Sequence, residues 1–246
     1  MEQTLQRLII NADDLGYDPA VSAGIVQAMR AGVVTSATLM VNLPHSADGA
    51  AAAQGLAVGL HLNLARGRPL SRSFPQGLLQ DGEFDEARVV RLPTAVVKDE
   101  VRAQIERGEA LLGRPLTHLD VHRHLHRHPG ILEGVASVAQ ERTLPVRALD
   151  ASMRERLRAW GVRVTDHFIG DAGAEPYWTL DRFRQAVEAL VPGTTELMCH
   201  PGFLPTHVRT GYAEQRVVEL QTFTSAEARV ALNRAGVDLA TFADRW

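Results

Sequence analysis

Histidine and aspartate are concentrated in four short segments of this 246-residue chain. Five of its ten histidines, His118, His122, His124, His126 and His128, fall in THLDVHRHLHRHP. An adjacent acid pair, Asp13 and Asp14, lies in LIINADDLG, while His61 sits in GLHLNL and His200 in MCHPG. Imidazole and carboxylate together are the donor set of a borderline divalent cation such as zinc. Four separated apolar runs that each finish in such a residue read as strands delivering their ends to one site.

Neighbouring side chains on an extended chain point opposite ways, so Asp13 and Asp14 reach one site only if the backbone turns. Asn11, Asp14 and Gly16 are residues that tolerate such a turn. One carboxylate then binds an ion and the other hangs beside the ion's water; a solvated turn capping a helix is the plainer alternative. In GLHLNL, Gly59, His61 and Asn63 share one face against three leucines, which suggests an opening rather than packing. His118, Asp120 and His122 likewise alternate on one side of a strand, with His122 at its lip as the preferred ligand. His124 and His126 are expected to line the pocket or support the ligands, and Asp120 to hold a ligating imidazole's other nitrogen. A surface tract that binds metal incidentally is the competing reading. Pro201 holds His200 extended. Asp166 and His167 stand at another strand end as supporting residues, and Arg147 reads as a buried cation whose carboxylate partner is expected to be Asp166. Cys199 reads as a packed side chain, since His200 lies on the opposite strand face. Tyr177–Trp178 reads as packing at a helix start, with contact to a sugar ring as the alternative.

The elements that must position these residues alternate strand and helix. Strands are expected at Arg7–Asn11, Val33–Val41, Leu56–Leu64, Leu116–Val121, Val146–Leu149, Val162–Ile169, Thr194–Cys199 and, last, Asp238–Phe242. Helices are expected at Pro19–Ala31, Ser46–Gln54, Val97–Gly113, Pro129–Glu141, Ala151–Trp160, Leu180–Leu190, Glu214–Leu220 and Ala226–Ala235. Residues from about 66 to 96 show no persistent period and read as a long excursion within one 246-residue domain. Such alternation without a linker implies an α/β fold with a parallel sheet. The candidate ligands come from the ends of several strands, which favours a distorted (β/α) barrel of about seven strands over an open doubly wound sheet. No GxGxxG follows the first strand and no GxxxxGK[ST] occurs, so a nucleotide site has no fingerprint.

Lys and Arg number 26 against 29 Asp and Glu, which gives no basic excess for nucleic acid. The first residues lack both a signal peptide's apolar core and a membrane span, and the lone Cys199 excludes an intrachain disulfide. A cytoplasmic protein is expected, with monomer and homodimer both open.

Read together, LIINADDLG, GLHLN, DVHRHLH and ELMCHPG resemble the YdjC-like, or chitooligosaccharide, carbohydrate deacetylase family, in order along nearly the whole chain. The resemblance implies a barrel related to polysaccharide deacetylases and hydrolysis of an acetamido group on a small N-acetylated saccharide. It also implies one divalent ion, magnesium or zinc, held by Asp14, His61 and His122. Asp13 would then be the general base and His200 the general acid. A metal-dependent phosphoesterase, with Arg123 and Arg127 near the phosphate, and a non-catalytic sugar- or metal-binding barrel are the alternatives.

Overall fold

The computed structural model describes residues 6–170 and 177–244. The elements run β1 (Gln6–Leu15), α1 (Pro19–Ala31), β2 (Ser36–Leu39), α2 (Ser46–Ala52) and β3 (Val58–Leu62). After them come a small hairpin, β4 (Leu79–Gln80) and β5 (Glu83–Phe84), then α3 (Glu86–Val89), α4 (Thr94–Leu112) and β6 (Leu119–Val121). The rest is α5 (Pro129–Arg142), α6 (Ala151–Ala159), β7 (His167–Ile169), α7 (Leu180–Glu188), β8 (Gly193–Cys199), α8 (Glu214–Thr224), α9 (Ala226–Ala235) and β9 (Asp238–Leu239).

The strands pair in parallel in the order β6-β3-β2-β1-β8-β7, and β9 adds to the start of β1 below β2. The sheet curls so that alternate residues of each strand point inward. On β1 the even residues Leu8, Ile10 and Ala12 join the main apolar core under the helices. The odd ones line the interior. Ile9 forms a separate apolar floor with Ala240 and Phe242, and Asn11 and Asp13 rise above it, both buried. His118 lies flat on the Phe242 ring, with centroids 3.7 Å apart, and its Nε2 meets Asn11 Oδ1 at 3.1 Å. Helix starts are set by local chemistry. Asp18 accepts the Ala20 N–H at 2.8 Å ahead of Pro19, and Asp150 caps α6 by accepting from Met153 at 2.8 Å.

The expected strands Val146–Leu149 and Val162–Ile169 are largely irregular. The first is a single bridge between Leu119 and Val146, and the second is regular only in β7. Pro145 brings no N–H, and the chain must turn into the capped α6 within a few residues, so no ladder forms. Three bonds span this edge: Leu119 N to Pro145 O, Arg147 N to Leu119 O, and Val146 N to Arg163 O. The barrel is therefore distorted and partly open between β6 and β7. Among the described residues no helix is long and apolar enough to cross a membrane.

Gly59 on β3 has no room for a side chain, because a Cβ there would lie 2.3 Å from the His118 ring. Gly59→Ala is expected to destabilise the fold by about 1–3 kcal/mol through overpacking, read as a lower denaturant midpoint. An unchanged midpoint would show that His118 can move aside.

Candidate metal centre

The site forms where β1 breaks its own alternation. Asp13 points inward as an odd residue, and Asp14 should then face the helices. Instead Asp14 takes a left-handed backbone, φ +72°, and the β1–β2 register shifts between Ala12 and Leu15. This bulge swings the second carboxylate to the mouth of the barrel. Gly16, at φ +83°, completes the turn where a Cβ would meet the Met40 carbonyl at 2.9 Å.

Asp14 Oδ1, His61 Nε2 and His122 Nδ1 face one another. His61 lies 3.3 Å and His122 3.5 Å from Asp14 Oδ1, and the two imidazole nitrogens are 3.1 Å apart. Ligand bonds of about 2.0–2.2 Å at tetrahedral to octahedral angles separate donor atoms by about 2.9–3.5 Å. The triangle fits one cation. Asp14 Oδ1 is also buried with no hydrogen-bond partner, a costly state that a cation would relieve. Asp14 Oδ2 is taken by Arg216 Nη2 at 2.5 Å, which leaves Oδ1 as the free donor. Burial alone would raise the Asp14 carboxyl, but Arg216 with His122 and His61 holds it well below the usual carboxylate range.

His61 is aimed by its other nitrogen. Nδ1 donates to Asp120 Oδ1 at 2.7 Å, which leaves Nε2 for a cation. Without a cation, burial would lower His61, yet Asp120, Asp13 and Asp14 raise it to about 10. Asp120 Oδ2 accepts from Thr38 Oγ1 at 2.9 Å and lies 2.9 Å from Arg147 Nη2.

Arg147 is the hub of this interior. It grips Asp13 with two bonds of 2.7 Å, and its Nε donates to Glu196 Oε1 at 2.7 Å. Asn11 adds a bond of 2.9 Å to Asp13 Oδ1. Burial works against the Asp13 anion, but Arg147, with His61 and His200, holds this carboxyl far below its ordinary value. Asp13, His61 and Asp120 also cluster closely enough to hold a metal. The Arg147 guanidinium already occupies those two carboxylates, so this second group serves as support. The four carboxylates Asp13, Asp14, Asp120 and Glu196 against two guanidiniums leave two negative charges when all are ionised. A divalent cation balances them.

His200 follows β8 and brings Nε2 to 3.9 Å from Asp13 Oδ2. Its N–H is bound by the buried Glu219, and its carbonyl lies 3.5 Å from Arg216 Nη1. Burial pushes the imidazole down to about 4, despite Asp13 and Asp14.

Other expected site residues lie elsewhere or act otherwise. After His122 the chain is a tight helical turn with Arg123 and His124 at positive φ, +57° and +54°. His124 and His126 stand outside the three-donor group. His126 Nε2 donates to the Arg147 carbonyl at 3.2 Å, and His124 stacks edgewise on His126 and Phe168. Asn63 does not open onto the site. Its amide is spent on Asn42 and on the turn through Arg66, in four bonds of 2.9–3.1 Å. Asp166 is not Arg147's partner. It precedes β7, at the far end of the barrel, and pairs with Arg158 at 2.7 Å, while His167 meets the Pro192 carbonyl at 3.2 Å. Trp178 is buried, with Nε1 donating to the Met198 carbonyl at 2.7 Å. Burial lifts the Cys199 thiol well above its ordinary range. Sequence reading passed over Glu196, Arg216, Glu219 and Thr38. Only Glu196 carried a signal, as a lone acid in the apolar run of β8.

A parallel barrel with one Asp–His–His site beside a further acid at its strand ends defines a metal-dependent hydrolase. The chain belongs to the YdjC-like protein family, whose model matches residues 7–234. It is 37% identical to a carbohydrate deacetylase of Brevibacillus brevis, over 97% of this chain and 99% of that one. It is 34% identical to a chitooligosaccharide deacetylase of Proteus mirabilis, over 96% and 98%. A crystal structure from Enterococcus faecalis, named for cellobiose-phosphate cleavage, superposes with a TM-score of 0.87 at 28% identity, covering 97% and 98%. The Xyl-CE4 domain of a termite-hindgut xylanase shares the fold at a TM-score of 0.54 and 7% identity, over 96% and 87%.

Asp120→Asn is expected to lower metal affinity about 10–100-fold by loosening His61, measured by competition with a chromophoric chelator; unchanged affinity would remove Asp120 from that role. Stability carries a second signature. Burial, with Arg147, lowers His126 to about 3 and His124 to about 2, whereas in the unfolded chain they titrate near 6.5. Below about pH 6.5 the unfolded state binds more protons, so stability falls with pH, by about 1.4 kcal/mol per unit for each histidine. His126→Gln should flatten that slope by one such increment in denaturant titrations between pH 5 and 6.5. An unaltered slope would mean that His126 is not buried neutral.

Proposed function

We propose that this chain is a metal-dependent carbohydrate deacetylase that hydrolyses the acetamido group of a small N-acetylated saccharide. The carrying observation is the unpartnered Asp14 Oδ1 facing two imidazole nitrogens, with Asp13 and His200 beside it. The names of the Brevibacillus and Proteus relatives support the substrate class.

When bound to Asp14, His61 and His122, a divalent cation lowers the pKa of a water and polarises the acetyl carbonyl. Two imidazoles among three donors suit zinc, and magnesium is the alternative. Asp13 accepts the proton of the attacking water. Arg147 keeps its carboxylate ionised across the working pH range and fixes its plane, at a cost in basicity. Its Oδ2 faces His200 Nε2. His200 is neutral at rest, so once it gains a proton it is a strong acid toward the departing amine. Glu219 and Arg216 fix the His200 backbone from two sides.

A phosphoesterase reading draws on the name of the Enterococcus neighbour. It would need guanidiniums free to hold phosphate. Arg123 pairs with Glu86, Arg127 Nε donates to the His124 carbonyl at 3.3 Å, and Arg147 and Arg216 are engaged by carboxylates.

Asp13→Asn is expected to keep near-normal metal content by elemental analysis and lose at least about 100-fold in acetate release from N-acetylated mono- and disaccharides. Full activity would remove Asp13 as the base. Release of phosphate from aryl phosphates, without acetate release under any added ion, would overturn the deacetylase.

A further inference from the structure

Beside the metal centre lies a cleft of about 360 Å³ bounded by loops after β1, β2, β3 and β8 and by the β4–β5 hairpin. We propose that it seats a second, uncharged pyranose ring, the neighbour of the ring that loses its acetyl group. This rests on the deacetylase reading and adds where the rest of the saccharide goes.

Position is the first argument. Tyr17 lines the cleft, and its ring lies between two guanidiniums, Arg216 at 5.8 Å and Arg66 at 5.6 Å. Arg216 is bonded to Asp14. The wall of the cleft is thus one aromatic ring away from the residue that braces a metal ligand.

The walls are also fixed by buried groups. The Asn42 amide donates to the carbonyls of Arg66 and Arg68 at 3.0 and 3.1 Å, alongside the Asn63 bonds that shape the same turn. Fully buried Asp18 accepts the N–H groups of Thr206 and His207 at 3.1 and 2.7 Å. That brings the His207 ring to 4.8 Å from His45. Phe84 N donates to the Gly67 carbonyl at 2.9 Å, which draws the hairpin against the turn.

The lining matches a sugar ring in kind. Tyr17 and Phe84 offer apolar surface to the C–H faces, while His45, His207, Arg66 and Glu83 offer polar groups to the hydroxyl edges. Charge decides against an anionic ligand. His45 lies 3.7 Å from Asp48 and His207 3.8 Å from Asp18, and Glu83 shares the lining with Arg66. The volume, near the low end of the roughly 300–1,000 Å³ of small-molecule sites, suits one ring rather than a long chain.

The test is calorimetric titration of metal-loaded Asp13→Asn protein with N-acetylglucosamine, its 6-phosphate and N,N′-diacetylchitobiose. The disaccharide should bind about tenfold or more tightly than either monosaccharide. Adding Arg66→Ala or His207→Ala should shrink that margin by about tenfold. In the otherwise native enzyme the same changes should raise KM for the disaccharide and leave its kcat. Equal binding of all three sugars, tighter binding of the phosphate, or equal weakening of mono- and disaccharide by the variants would overturn the assignment. Disaccharide preference without acetate release from native enzyme would support the cleft and count against deacetylation.

Discussion

One guanidinium holds the interior of this barrel together. Arg147 is bonded to Asp13 and Glu196 and lies 2.9 Å from Asp120, all fully or nearly fully buried. Removing one partner of a buried ion pair typically costs about 3–5 kcal/mol, and here a single cation serves three anions. The arrangement couples fold to function. Asp13 is the proposed base, and Asp120 orients His61. The residue that neutralises the core therefore also sets the plane of one acid and, through another, the ring of a ligand. The partly open edge between β6 and β7 is where Arg147 enters, so the irregular strand is part of the design of the site.

A second constraint is the bulge in β1. Regular alternation would leave Asp14 among the helices and the cation without its carboxylate donor. The positive φ at Asp14 is strained for a non-glycine residue, and the bond to Arg216 helps hold it. Arg216 lies against Tyr17 and Tyr212, so the same cation links the metal ligand to the aromatic wall of the adjoining cleft.

Much of this was legible before any coordinates. Helix α1 announces itself through its Asp-Pro start and closing Gly32, and its expected span matches the observed one. His61 stood out because a polar residue interrupted leucines at strand period, and the break after His122 followed from polarity. The need for a turn at Asp13–Asp14 was stated, but its form was not. What escaped was long-range. Arg216 sits in EQRVVEL, which reads as an ordinary exposed helix, and its pairing spans 202 residues. Asp166 was matched to Arg147 because period cannot tell which end of a strand a residue occupies. Val146–Leu149 had strand composition but lacked partners, and composition is a local property.

The central claim is convergence of Asp14, His61 and His122 on one cation. Anomalous diffraction at the zinc edge from zinc-loaded crystals tests it most directly. A single peak about 2.0–2.2 Å from Asp14 Oδ1, His61 Nε2 and His122 Nδ1 is the expected result. A peak between Asp13 and Asp120, with Arg147 displaced, or a peak at His124 and His126, would contradict the account.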